Sequence, residues 1–119
     1  MSDLRMGVAE TKFAELIWAN EPISSGSLAK LALEEMNWKK TTAFTVLKRL
    51  CDRGLFQNRE GTVTSLMTRE KYYARHSEQY VRENFGGSLP AFLAAFGTGK
   101  HLSDGEIEQL QRLIESMRG

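Results

Sequence analysis

The chain has 119 residues, 41% of them apolar, with a formal net charge of +1 and one cysteine. That length suits one small domain with an appendage, and the apolar fraction is enough to build a core. No apolar run reaches the roughly 18 residues that span a bilayer, and the opening Met-Ser-Asp-Leu-Arg-Met-Gly lacks the apolar centre of a signal peptide, so a cytoplasmic protein is expected. The single Cys51 has no partner for an internal disulfide and is expected as a partly buried structural thiol.

The charge is unevenly spread. Residues 39–59 carry Lys39, Lys40, Lys48, Arg49, Arg53 and Arg59 against Asp52 alone, a local charge of +5, while residues 1–38 carry −3. One basic segment in an otherwise neutral or acidic chain is the footprint of a local polyanion site, not of a general basic coat.

In chain order, a first helix is predicted from about Val8 to Ala19, with Phe13, Leu16 and Ile17 at helical spacing. Pro22 ends it, and Ile23-Ser24 is short enough only to pair at the edge of a small sheet. Ser24, Ser25 and Ser27 are candidate caps for a second helix through about Met36, whose stripe is Leu28, Leu31, Ala32 and Met36. After the turn Trp38-Lys39-Lys40, a third helix is predicted from about Thr41 to Arg53, with Thr41 as its cap. Ala43, Val46, Leu47 and Leu50 form its buried stripe. Two helices joined by so tight a turn form a helix-turn-helix. Gly54 supplies a left-handed stop. The period then changes to two, with β-prone Leu55–Asn58 and Thr62–Leu66 flanking a turn at Arg59-Glu60-Gly61, a hairpin wing with Arg59 at its tip.

The tail reads as three further helices. The first starts at Thr64 or Thr68, runs to about Asn84 and carries Tyr72, Tyr73, His76, Tyr80 and Val81. Gly86-Gly87 breaks it. A strongly apolar helix follows from Ser88 to about Phe96, with Pro90 in its first turn. Ser103 and Glu106 form a capping box that opens a last helix to about Met117. The expected architecture is therefore mainly α with a small β-hairpin: a winged helix-turn-helix DNA-binding domain over residues 1–67 and a helical dimerisation region over 68–119. Tyr80, Phe85, Leu89, Phe92, Leu93, Phe96, Leu110, Leu113 and Ile114 are the candidate dimerisation residues, because so apolar a tail needs a partner surface.

The outer face of the third helix, short hydroxyls and cations, suits the major groove of DNA. Lys39, Lys40, Lys48 and Arg59 are candidates for phosphate contacts. Thr42 and Thr45 lie where a hydroxyl or methyl meets a base edge, and Thr41 is a further DNA-binding candidate. Arg49 is open to a phosphate, a guanine, or an ion pair within the domain.

These residues resemble the penicillinase-repressor family of bacterial regulators. The resemblance rests on Ile17-Trp18 at the end of the first helix, the loop Glu21-Pro22-Ile23, Trp38 with Thr42, and the run Arg49-Leu50-Cys51-Asp52-Arg53-Gly54-Leu55. In the tail it rests on a Tyr-bearing helix, Phe85-Gly86-Gly87, and Leu102-Ser103 leading to Glu106-Ile107 and Leu110. Their order and spacing cover about Val8 to Met117. The resemblance implies a homodimeric winged-helix repressor on a pseudo-palindromic double-stranded operator. It also implies release through a sensor-protease pathway that cuts the apolar tail segment before a Phe, here Ala95–Phe96, where relatives carry Asn at the position of Ala95. The Cys-x-Cys metal site of copper-responsive relatives has no counterpart in this tail. The wing is shorter and lacks the aromatics usual on its second strand, and Phe44 stands where relatives are often polar or basic.

No nucleophile elbow, P-loop or paired His appears, and the carboxylates are scattered over helix surfaces, so no enzyme is expected. No His or Cys spacing suits a metal, and no cofactor is expected. The competing reading is a winged-helix module used for protein–protein assembly, which would make the Thr/Lys/Arg face dispensable and leave DNA binding without sequence preference.

Overall fold

The computed structural model describes residues 6–119, which form six helices and a small antiparallel sheet: α1 (Val8–Asn20), β1 (Ile23–Ser24), α2 (Ser25–Met36), α3 (Lys40–Asp52), β2 (Phe56–Arg59), β3 (Thr62–Ser65), α4 (Arg69–Phe85), α5 (Leu89–Thr98) and α6 (Asp104–Ser116). Three helices followed by a hairpin make a winged helix-turn-helix, and C-terminal helices complete the chain. Two compact units divide after Ser77.

The first unit is built around a core to which every one of its early elements contributes. Phe13, Ala14 and Ile17 of α1, Leu28, Ala29 and Ala32 of α2, and Ala43, Val46, Leu47 and Leu50 of α3 are buried together with Leu55, Phe56, Val63 and Tyr72. Removing this much apolar surface from water is the main favourable term in folding. Local chemistry sets the element ends. Ser24 caps α2 by accepting a hydrogen bond from the Ser27 N–H, which satisfies one of the donors that a helix start leaves open. Asn37 closes α2 in the left-handed region (φ 55°), its N–H directed to the Ala32 and Leu33 carbonyls. Asn tolerates that conformation better than most residues. Trp38 then packs against Phe13, ring centroids 5.3 Å apart, which ties the α2–α3 turn to α1.

The sheet has strand order β1-β3-β2. Ile23-Ser24 pairs with Val63 and Thr62, so the short run after Pro22 forms the edge strand that its length allows. The wing is tighter than predicted. Arg59 still pairs with Thr62, and the turn is Glu60-Gly61 alone, both at positive φ (50° and 84°). Two left-handed residues make the hairpin turn whose twist matches the strands. The Ser25 N–H donates to the Gly61 carbonyl at 2.8 Å, which anchors this turn to the start of α2.

Long-range polar links complete the unit. The Trp18 indole N–H donates to the Met67 carbonyl at 3.0 Å, and its ring packs on Phe56 and Tyr72 at 5.3 and 5.5 Å. Glu15 accepts from Arg69 Nε at 2.8–2.9 Å and from the Tyr73 hydroxyl at 2.6 Å. Burial pushes the Glu15 carboxyl up, but these hydrogen bonds outweigh it and hold the group below the usual carboxylate range. The Ser65 N–H and hydroxyl both donate to Glu21.

In the second unit, Gly86 and Gly87 (φ 58° and 84°) end α4, with the Gly87 N–H returning to the Val81 carbonyl at 3.1 Å. Phe92 stacks edge-on to Tyr80 and Phe85 at 6.1 and 5.5 Å. Ser88 caps α5, and Ser103 and Glu106 form both halves of the capping box of α6. Neither α5 nor α6 has a fully buried residue.

Candidate nucleic-acid interface

Helix α3 begins one residue earlier than predicted. Lys39, not Thr41, is its N-cap, and no side chain caps its first N–H groups. Those donors, at the positive end of the helix dipole, are free to meet an anion. The four core residues at helical spacing pin one face of α3, which leaves three parallel strips outside.

The central strip is Thr41, Thr45, Lys48 and Asp52, all exposed. The Thr45 hydroxyl donates to the Thr41 carbonyl at 2.8 Å, so its proton is committed to the helix, and a methyl group and oxygen lone pairs remain for a neighbour. Lys48 Nζ lies 3.0 Å from Asp52 Oδ2, with 77% and 65% of the two side chains exposed. Such a pair contributes about 0–1 kcal/mol, so Lys48 can exchange this partner for a phosphate at small cost.

The strip toward α1 holds Thr42, Arg49 and Arg53. Arg49 and Arg53 lie 3.7 and 3.8 Å from Glu10 Oε2 of α1, an oxygen that is buried without a hydrogen bond. Arg49 is therefore tethered within the domain by charge, yet half of its side chain faces solvent (53%).

The strip toward the wing holds Lys40, Phe44 and Cys51. Lys40 Nζ sits 5.5 Å from the Phe44 ring centroid. A concavity of about 260 Å³ opens between α3 and β2, lined by Phe44, Leu47, Lys48, Cys51 and Asn58. Burial and then the neighbouring Asp52 charge push the Cys51 thiol up, which favours its protonated form. Asn58 precedes Arg59 on β2, so the wing strand runs beside α3, and Arg59 is exposed at the end of its ladder.

The structure thus brings Lys40, Thr41, Thr42, Thr45, Lys48 and Arg49 onto one exposed helix surface, with Lys39 at its start and Arg59 on the adjoining strand. Asp52, which helical spacing in the sequence already puts on this outer face, and Asn58 and Phe44 complete the surface, though none of the three was among the candidate contact residues. Helical arithmetic places Asp52 one turn after Lys48 and Phe44 one turn after Lys40.

Among the candidate dimerisation residues, Tyr80, Leu89, Phe96, Leu113 and Ile114 are 47–52% exposed. Phe85, Phe92, Leu93 and Leu110 are partly buried. The Ala95–Phe96 bond lies within α5, so a protease would have to unwind that helix locally to reach it. Among the described residues no group of three or more His, Cys, Asp or Glu is placed to hold a metal ion. No helix among them is long and apolar enough to cross a membrane.

A core-pinned helix with a cationic, hydroxyl-bearing outer face and an adjoining hairpin defines a winged helix-turn-helix protein of the regulatory kind. A sequence model of the penicillinase repressor family matches residues 6–116, and the chain belongs to that family. It is similar to the penicillinase repressor of Bacillus licheniformis, 26% identical over 111 residues that cover 90% of this chain and 87% of that one. Membership supports a role in transcriptional repression through DNA binding.

Proposed function

We propose that the protein represses transcription as a homodimer seated on a pseudo-palindromic operator, with α3 of each subunit in a major groove and the wing beside it. The observation that carries this reading is the outer surface of α3, where three threonines and a set of cations project from a helix whose opposite face is locked into the core. Lys39, Lys40, Lys48 and Arg59 neutralise phosphates and set affinity and register. Thr41, Thr42 and Thr45 meet base edges, where a Thr methyl suits the thymine 5-methyl. Arg49 reaches the DNA while Glu10 holds its position along α3. Repression needs no chemistry, because an occupied promoter is blocked.

The second copy is supported by the tail. Leu89, Phe96, Ile107, Leu113, Ile114 and Met117 are exposed large apolar side chains, and helices with so little burial of their own gain most by packing against a like surface. Two-fold symmetry would set the two α3 helices roughly 34–36 Å apart, or a multiple of that.

Fluorescence anisotropy against the intergenic DNA upstream of the gene, with scrambled DNA as control, tests the reading. A preference of roughly a thousandfold, reduced in Thr45→Ala by the roughly 1–3 kcal/mol of one base contact, is expected. Equal weak binding to both DNAs, unchanged by the substitution, would refute it.

A further inference from the structure

Neither the core nor phosphate binding accounts for Phe44. It lies on the outer side of α3 with 37% of its surface exposed, between cations, on a helix whose other outward residues are polar or charged. Lys40 Nζ stands 5.5 Å from its ring centroid, and the ring forms one wall of the concavity of about 260 Å³ beside β2. Leu47 and the Cys51 thiol add apolar lining, and Lys48 and Asn58 complete it. A small apolar hollow flanked by two lysines fits an apolar group carried on a polyanion.

Double-stranded DNA presents one such group in its major groove, the 5-methyl of thymine. A phenyl ring can neither donate to nor accept from the base edges, so guanine N7 and O6, adenine N7 or the cytosine amino group would lose water against it without recompense. Thymine loses least, because its methyl is the part that the ring would cover. We infer that Phe44 is a specificity-determining residue that selects thymine, through its 5-methyl group, at one position in each operator half-site. This rests on the DNA-reading role of α3 proposed above.

The test starts from a duplex selected from a random pool by the full-length protein. Each thymine of that duplex is replaced in turn by deoxyuridine, which differs only in lacking the methyl. The wild-type protein should show one symmetric pair of positions where the replacement weakens binding roughly fourfold per half-site, the scale of one buried methyl group. In Phe44→Ala that difference should vanish, and Phe44→Gln should behave alike. Placing 5-methylcytosine at the same pair should recover part of the affinity lost with cytosine in the wild type but not in either variant. Deoxyuridine discrimination that persists unchanged in both variants, or a scan in which no thymine is sensitive, would overturn the assignment while leaving the operator-binding role intact. Failure of the wild type to select any sequence would instead remove the role on which it rests, and the assignment with it.

Discussion

Asp52 is an anion on the surface proposed to meet DNA, and replacing it with Asn should strengthen DNA binding. Its carboxylate lies 3.0 Å from Lys48 Nζ with both side chains well exposed, so the folded protein should lose no more than about 1 kcal/mol. The gain appears on DNA, where Lys48 no longer divides its charge between Asp52 and a phosphate. A full phosphate contact steepens the dependence of log affinity on log salt by about 0.9, hence by up to about 1.8 for the two subunits of a dimer. Between about 50 and about 200 mM salt, a span of about 0.6 in the logarithm, the advantage of Asp52→Asn should shrink, by at most about twelvefold. Because phosphates carry no sequence information, operator and scrambled DNA should gain alike. Anisotropy titrations of both DNAs at several salt concentrations measure this. An unchanged slope, weaker binding, or a gain confined to the operator would refute the placement of Lys48 against the phosphate backbone.

Three further outcomes follow from the first unit. Trp18→Phe keeps a ring against Phe56 and Tyr72 but leaves the Met67 carbonyl without its donor; it should cost about 1–3 kcal/mol in urea denaturation, and wild-type stability would contradict the role of that bond. The Glu15 carboxyl sits below its ordinary value of 4.5 despite the opposing effect of burial, because Arg69 and Tyr73 bind its charged form. The unfolded chain therefore holds this proton more tightly, so the stability it contributes is complete above the unfolded value and is lost as pH falls through the folded one. The gap in stability between wild type and Glu15→Gln should close on acidification below about pH 4.5, and a gap independent of pH would contradict the assignment. Cys51, raised by burial and by Asp52, should react with iodoacetamide at mildly alkaline pH more slowly than a free small thiol; equal or faster alkylation would show a thiolate that the structure does not support.

Much of the fold could be read from local signals. The Pro22 stop, the Ser24 cap, the change of period after Gly54 and the Ser103–Glu106 box each act within a few residues, and each lies where the spacing put it. The start of α3 moved by one residue because Lys39 caps it without a side-chain bond, an arrangement that carries no sequence signature. Tyr72 shows a different limit. Periodicity groups it with Tyr80 in one aromatic stripe, yet Tyr72 is buried in the winged core against Trp18, while Tyr80 packs on Phe85 and Phe92. Side chains that are neighbours along one helix were given different partners by elements distant in sequence. The links from Glu15 to Arg69 and Tyr73, and from Glu21 to Ser65, span more than forty positions and are invisible to any local pattern. Of the candidate interface, the composition of α3 was legible, but its division into three strips was not, because that depends on which flank meets α1 and which meets the wing. Arg49 is the clearest instance: three roles fitted its sequence position, and the structure supplies the Glu10 tether that ties its guanidinium to α1.

Hydroxyl-radical footprinting of the protein on the upstream intergenic fragment tests the central claim most directly. The account predicts two protected patches related by two-fold symmetry, their centres about 10 base pairs or a whole number of turns apart, both weakened by Thr45→Ala. A single unsymmetric block, or uniform weak protection indifferent to that substitution, would contradict it.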